Sequence, residues 1–319
     1  MCCILFYHVL HDDNYRRHPV LWGMADALFL RQSIALIWNG SYNQFLIILS
    51  VQLEEKWKGE KEMIDLQYAK ERFVNYLEGY DRKDDKIHLK EVHTFCVLNA
   101  ADEICNGEGM KEEDHRLALL IALLHDIGRF EQLRQFGSFN DQLFNHADFG
   151  VKVLFEDGMI RQFIEDSQYD SVIQKAIKYH SLYSLDAVDG LTERERLHCQ
   201  IIRDADKLDN FRVKDTERVE TLFDTPEETV EMEEISPVVL AAVRNRKSVV
   251  SGERVTHLDC WVSYLAFIFD LNFATSVRWI LKQDYLNRNI DRINYKNPQT
   301  KKAMEEIREI CNAYLRERA

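Results

Sequence analysis

Leu117-Ala118-Leu119-Leu120-Ile121-Ala122-Leu123-Leu124 runs directly into His125-Asp126-Ile127-Gly128-Arg129. Eight consecutive apolar residues behind the acidic turn Glu112-Glu113-Asp114 predict a helix over 112–125. The acidic start suits the helix dipole, and a helix that is apolar on every face belongs in a core. Ending such a run in an imidazole and a carboxylate is costly unless something satisfies both groups. A divalent cation does so, because imidazole and carboxylate are both ligands and the ion offsets the buried negative charge.

The rest of the chain supports a helical surrounding for this stretch. Gly (12) and Pro (4) are scarce in the 319 residues, well under half their usual combined share of about 12%. So few turn residues cannot supply the turns of a β-sandwich or barrel, and they exclude collagen-like and Pro/Gly-rich disordered classes. Apolar spacing predicts further helices over 65–78, 87–105, 146–155, 172–180, 193–210, 237–244, 260–283 and 298–318. There is no repeat, no low-complexity tract and no strand-like alternation. The fold class is therefore all-α. The stripe Trp261, Tyr264, Leu265, Ile268 and Phe269 is helical in period and belongs against the core.

Lys and Arg number 41 against 54 Asp and Glu, a net charge of −13, so stable nucleic-acid binding is not expected. A small anion can still bind where cations reverse the local sign. Seven cysteines without a CxxC pair read as free thiols in a reducing cytoplasm. No apolar run reaches the ~20 residues of a membrane helix, and no association with a membrane is expected. The stretch 215–234 is crowded with acids, including Glu217, Glu220, Asp224, Glu227, Glu228, Glu231, Glu233 and Glu234. It reads as a solvated loop, or as a lid over a site.

Residues 1–62 differ from the remainder of the chain. They hold three of the five tryptophans, Trp22, Trp38 and Trp57, and show little helical period. They end in Lys58-Gly59-Glu60-Lys61-Glu62, whose back-translation is purine-rich and can encode a bacterial ribosome-binding site just ahead of Met63. The expectation is that Met63 is the start and 1–62 translated leader, the alternative being a genuine N-terminal extension. The organisation expected beyond it is 63–212 as a metal-binding domain and 213–319 as an acidic loop and helical extension packed on it.

Further metal-type side chains fall on apolar helix faces. His93 shares a stripe with Leu89, Cys96, Val97 and Ala100. His146 lies with Phe149, Gly150 and Val153, where Gly150 leaves room for close approach. His180 ends the stripe Ile173, Ala176, Ile177, and Asp206 lies one turn beyond Ile202. Each alone reads equally well as a hydrogen-bonded core histidine or a structural ion pair. Together, and in this order with His125-Asp126, they read as one metal site. His88 and His115 sit near charged residues and look exposed, and His198 reads as packing.

The order His93, His125-Asp126, His146, His180, Asp206 resembles the HD superfamily of metal-dependent phosphohydrolases. The matching phrases are Leu124-His125-Asp126-Ile127-Gly128-Arg129, His146-Ala147-Asp148-Phe149-Gly150, Ala176-Ile177-Lys178-Tyr179-His180 and Asp204-Ala205-Asp206-Lys207-Leu208-Asp209. The likeness covers about residues 65–212; no motif carries over to 213–319. It implies an HD-type helical core of the dinuclear branch, with two divalent ions (Mn, Fe, Co, Ni, Mg or Zn). By that resemblance His93, His125, Asp126 and Asp206 hold one ion, His146 and His180 hold the second, and Asp126 bridges them. Asp204 is a rival to Asp206, which the Ala-Asp-Lys-Leu phrase favours. The GYP signature is absent, which argues against a cyclic dinucleotide substrate.

The implied activity is hydrolysis of a phosphoester or phosphoanhydride in a nucleotide or related small phosphorylated molecule, in the cytoplasm. Asp126 and Arg129 are the expected catalytic residues. Arg129 resembles a basic residue of several HD branches and its guanidinium fork suits phosphate; Lys207, and then Arg203, are second choices for substrate contact. The same ligand set also occurs in HD-fold mixed-valent diiron oxygenases, and a non-catalytic nucleotide sensor is the third reading. Oligomeric state is not legible.

Overall fold

Short polar residues set the helix starts that position the site. In the computed structural model, which describes residues 64–139 and 144–319, Asp65 accepts the amide of Tyr68 and opens α1 (Leu66–Leu77). Asp84 accepts the amides of Lys86 and Ile87 and opens α2 (Asp85–Gly107). Both satisfy amides that a helix cannot pair internally. The apolar run becomes α3 (Glu112–Leu124), with Leu117 to Leu124 all buried. It breaks at His125 and Asp126, and the chain turns into α4 (Ile127–Phe136). Asn145 accepts the amides of Ala147 and Asp148, which starts α5 (His146–Val151) with His146 as its first residue. A wider turn over Lys152–Glu156 prolongs α5. Then come α6 (Asp170–Tyr179) and α7 (Glu193–Thr216), the latter opened by a reciprocal Thr192–Glu195 capping box.

α2 lies between α3 and α7; α7 also packs on α6, α4 on α5, and α1 on α3. No strand occurs among the described residues, and none of their helices is long and apolar enough to cross a membrane. The described cysteines, Cys96, Cys105, Cys199, Cys260 and Cys311, are free thiols. The leader expectation for 1–62 lies outside the described residues.

The chain after α7 departs from expectation in two places. Residues 215–234 are not a solvated loop: they form α8 (Val219–Phe223) and α9 (Glu227–Met232), each anchored by a valine, Val219 or Val230, that is 0% exposed. Several of their acids are engaged. Asp224 pairs with Lys86, Glu227 with Arg292, and Glu233 accepts from the amide of Leu258 and contacts His257 Nδ1. The continuous helix expected over 260–283 is two helices, α11 (His257–Leu265) and α12 (Ala274–Gln283), separated by a tighter turn at Ala266–Asp270 and an extended Leu271. The cause is remote in sequence. The Asp204 carboxylate on α7 accepts the amides of Asn272 and Phe273 and the Asn272 side-chain amide at 2.8–3.1 Å, capping α12 from outside.

α10 (Pro237–Arg244) precedes α11, and α13 (Tyr285–Asp291) and α14 (Pro298–Arg318) complete the chain. α11, α12 and α13 rest on α7, and α12 also reaches α2. Trp261, Leu265 and Ile268 of the expected stripe are buried, while Tyr264 and Phe269 are half-buried.

Candidate metal centre

Five elements each deliver part of one buried cluster. His93 comes from the middle of α2, His125 and Asp126 from the corner between α3 and α4, His146 from the first position of α5, His180 from just past α6, and Asp206 from the middle of α7. All four imidazoles and Asp126 are at most 3% exposed.

Asp126 is the hub. Its Oδ1 lies 3.3 Å from His146 Nε2 and 3.8 Å from His180 Nε2; its Oδ2 lies 3.7 Å from His93 Nε2 and 3.6 Å from His125 Nε2. Asp206 Oδ1 completes the first side, 3.1 Å from His93 Nε2 and 4.0 Å from His125 Nε2. Two sets of converging donor atoms result, His93–His125–Asp126 and Asp126–His146–His180, each within 4.8 Å and sharing the one carboxylate.

The outer nitrogens are committed elsewhere. His125 Nδ1 and His180 Nδ1 each lie 2.7 Å from a backbone oxygen one turn back, of Ala122 and Ile177. His93 Nδ1 lies 2.6 Å from Asp209 Oδ2, and Asp209 in turn accepts from Arg212. Such contacts fix ring orientation and leave Nε2 as the donor atom. His93 Nε2, His125 Nε2 and Asp126 Oδ1 are buried without a hydrogen bond. Orphaned buried lone pairs that converge on a common point are what a bound cation satisfies, so these groups could hold a divalent metal.

The charge states agree. Burial, then the neighbouring Lys90 and imidazoles, act in opposite senses on Asp126, and the cations win, holding it well below the usual carboxylate range. Asp206 is likewise lowered against its burial by His93 and the other imidazoles. Burial lowers His125, and burial with His125 takes His180 down to about 4. His93 differs: burial and Lys90 oppose its proton, but Asp206 and Asp209 on either side outweigh them and raise its pKa. The lowered aspartates favour their charged forms, and Arg212 already offsets Asp209, so the carboxylates turned into the cluster are Asp126 and Asp206.

Arg129 is in the site. It is 8% exposed, with Nε 3.9 Å from Asp126 Oδ1, Nη2 3.1 Å from His146 Nε2, and Nη1 donating to Gln132 Oε1 at 2.5 Å. The neighbouring Glu131 pairs with Arg134. Lys207 is not brought to the cluster. Its Nζ lies 2.9 Å from Asp270 and 3.3 Å from the Arg203 carbonyl. Arg203 is also turned away: buried, it donates to the carbonyls of His180, Leu182 and Tyr183 and to Asp270 Oδ2 at 2.5 Å. Asp204, the rival of Asp206, caps α12 and is no ligand. His88 is exposed; His115 is half-buried against Asp102, and His198 is buried 3.1 Å from Asp114.

Sequence reasoning missed two neighbours. Lys90 Nζ donates to Asp126 Oδ2 at 2.6 Å, and its signal was its place one turn before His93 on the same helix. Asp209 stands one turn after Asp206 inside a phrase already singled out. Both act on ligands through side-chain polarity, which apolar periodicity does not register.

Comparison with known proteins agrees with this geometry. The family model of the HD domain matches residues 91–210, a span that contains all six clustered residues, so the chain carries an HD domain there. No curated protein and no solved structure matches the chain significantly.

Proposed function

We propose that the chain is a metal-dependent phosphohydrolase that acts on a small phosphorylated molecule, held at a dinuclear centre bridged by Asp126. The observation that carries this reading is the pair of donor sets sharing Asp126 with two cations, Lys90 and Arg129, pressed against the same carboxylate. His93, His125, Asp126 and Asp206 would hold one ion, and Asp126, His146 and His180 the other. Divalent ions held there supply Lewis acidity to phosphoryl oxygens and make water a better nucleophile near neutral pH.

The chain's own groups do the rest. The Arg129 fork, braced by Gln132, offers N–H donors beside His146, where a phosphoryl oxygen can accept them. Lys90 can pivot from Asp126 Oδ2 to a substrate oxygen, since an ammonium is a point charge on a flexible stem. Asp209 keeps His93 pointed inward, and Asn210 donates to Asp206 Oδ1 at 2.9 Å and keeps that carboxylate in place. Lys207, committed to Asp270, supports the fold around His180 rather than the substrate.

The test is turnover of phosphomonoesters, dinucleoside polyphosphates and nucleotides by the manganese- or iron-loaded protein in oxygen-18 water, with and without air. Hydrolysis places the label in a phosphate product regardless of dioxygen. Label taken only from oxygen gas, or activity lost without air, moves the centre to the diiron oxygenase class.

A further inference from the structure

One face of α2 carries Lys86, Lys90 and His93, spaced four and three residues apart, so the two lysines lead along the helix to the metal centre. Lys86 Nζ donates to the Gly137 carbonyl at 2.7 Å and to both oxygens of Asp224 at 2.8 and 2.9 Å, which ties the turn after α4 to the end of α8. Lys90 Nζ reaches the centre itself and donates to Asp126 Oδ2 at 2.6 Å. That same oxygen is approached by His93 Nε2 at 3.7 Å and His125 Nε2 at 3.6 Å, both buried without a hydrogen bond. A divalent ion drawn to those two nitrogens must therefore share its carboxylate oxygen with an ammonium, and like charges brought to one oxygen repel.

The Lys90 contact is built to give way. Arg212 grips Asp209 through two N–H donors at 2.5 and 3.0 Å, a fork that fixes its partner. Lys90 instead places a point charge against its oxygen, on a flexible stem. Its side chain is 13% exposed where that of Asp126 is 3% exposed, so the ammonium lies on the open side of the carboxylate. A second seat adjoins it. The ring centroid of Phe139 lies 5.8 Å from Lys90 Nζ and 5.9 Å from Lys86 Nζ, and the Phe139 carbonyl accepts from Arg129 Nη1 at 3.3 Å. Phe139 thus joins the two cations that face Asp126, and an ammonium that leaves the carboxylate keeps an aromatic face within reach.

We propose that Lys90 is an exchangeable cation of the centre: it neutralises Asp126 until a divalent ion takes Oδ2, and its ammonium then turns to the phosphoryl group of the substrate, so that metal is taken up before phosphate. The inference rests on the hydrolase reading for the phosphoryl group and adds to it an order of binding and the cause of that order. The positive charge that opposes the ion is the one the anion gains. Lys90 therefore acts with opposite sign on the two ligands, which neither a space-filling residue nor a simple brace for Asp126 can do.

Calorimetric titration of manganese into the metal-stripped protein, and of methylphosphonate into the manganese-loaded protein, reads both signs without turnover. Lys90→Met should bind one manganese equivalent about 10- to 100-fold more tightly than the wild type, because it removes a positive charge from the oxygen the ion needs. Once loaded, the same variant should bind methylphosphonate about 10- to 100-fold more weakly, the scale of a charge-assisted hydrogen bond. Lys90→Gln, which is neutral yet can still donate to Asp126, should behave like Lys90→Met; it separates charge from hydrogen bonding and covers the case in which the methionine variant does not fold. Manganese bound no more tightly by the variants than by the wild type overturns the exchange and makes Lys90 a brace that orients Asp126. Methylphosphonate bound equally well by wild type and variants overturns it as well. A wild type that binds manganese but no methylphosphonate overturns the phosphate reading of the centre and the ordered uptake with it, while the manganese comparison still decides whether Lys90 yields to metal.

Discussion

Gly128 offers the sharpest test of how the two halves of the centre are held together. It is the third residue after His125, on the first turn of α4, and a Cβ built there would stand 2.2 Å from the His146 carbonyl oxygen and 2.6 Å from the Gly150 amide nitrogen. Both are backbone atoms that cannot swing aside. Non-bonded contact is comfortable at about 3.5 Å, so Gly128→Ala must drive α5 away from α4 by roughly 1 Å. Overpacking of this kind costs about 1–3 kcal/mol or more, and the better helix propensity of alanine returns at most about 1 kcal/mol. A net loss of about 2 kcal/mol lowers the melting temperature by roughly 4–8 °C in a domain of this size. The effect on function should be larger. His146 rides on the displaced backbone, and functional geometry tolerates only about 0.5 Å, so affinity for one of the two ions should fall about 10- to 100-fold. Gly150→Ala is the control: its Cβ would meet nothing closer than the Ile177 side chain at 3.4 Å, and stability should change by less than about 1 kcal/mol. Scanning calorimetry and calorimetric manganese titration of both variants decide the matter. Gly128→Ala that melts and binds two ions like Gly150→Ala would show that α4 and α5 do not meet as described.

Other perturbations separate the roles of the clustered residues. His125→Ala should remove most bound metal, whereas His180→Ala should keep one equivalent and lose the other, read by elemental analysis after reconstitution; at most one equivalent in the wild type refutes the dinuclear reading. Arg129→Ala should lower kcat/KM on the order of 10- to 1000-fold, with metal content within error of wild type; lost metal would make Arg129 a brace for His146 instead. Arg203→Met should destabilise the protein by about 3–5 kcal/mol, since it leaves Asp270 with Lys207 alone and strips the carbonyls that follow α6 of their donor; denaturant unfolding measures it, and a change under 1 kcal/mol refutes the clamp.

The ligands were legible because each is a polar group on an apolar helix face, a contradiction that periodicity exposes. The helix starts at Leu66, Glu112 and Pro237 were legible through local signals: a capping aspartate, an acidic first turn, a proline at the first position. The break between α11 and α12 was not. The apolar stripe runs unbroken through Phe267, Ile268 and Phe269, no Gly or Pro marks the stop, and the group that imposes it, Asp204, lies 68 residues away. The acidic stretch misled for the opposite reason: its charges outnumber Val219 and Val230, yet those two side chains decide where it packs. Gly150 was read as the point of close approach, but the tight contact falls on its neighbour across the interface, Gly128, because which of two facing glycines is closer depends on helix crossing and not on either sequence.

The Arg203 guanidinium ties His180, a residue of the metal cluster, to Asp270, which lies between α11 and α12. A clamp of that kind transmits free energy in both directions. Whatever tightens the hold on His180 must also raise the cost of peeling the last fifty residues off α7, and whatever loosens those residues must weaken the hold on His180. The C-terminal helices thereby become a gauge of occupancy at the centre: a protease that attacks them from solvent should work more slowly on the loaded protein than on the stripped one, although none of those helices supplies a ligand.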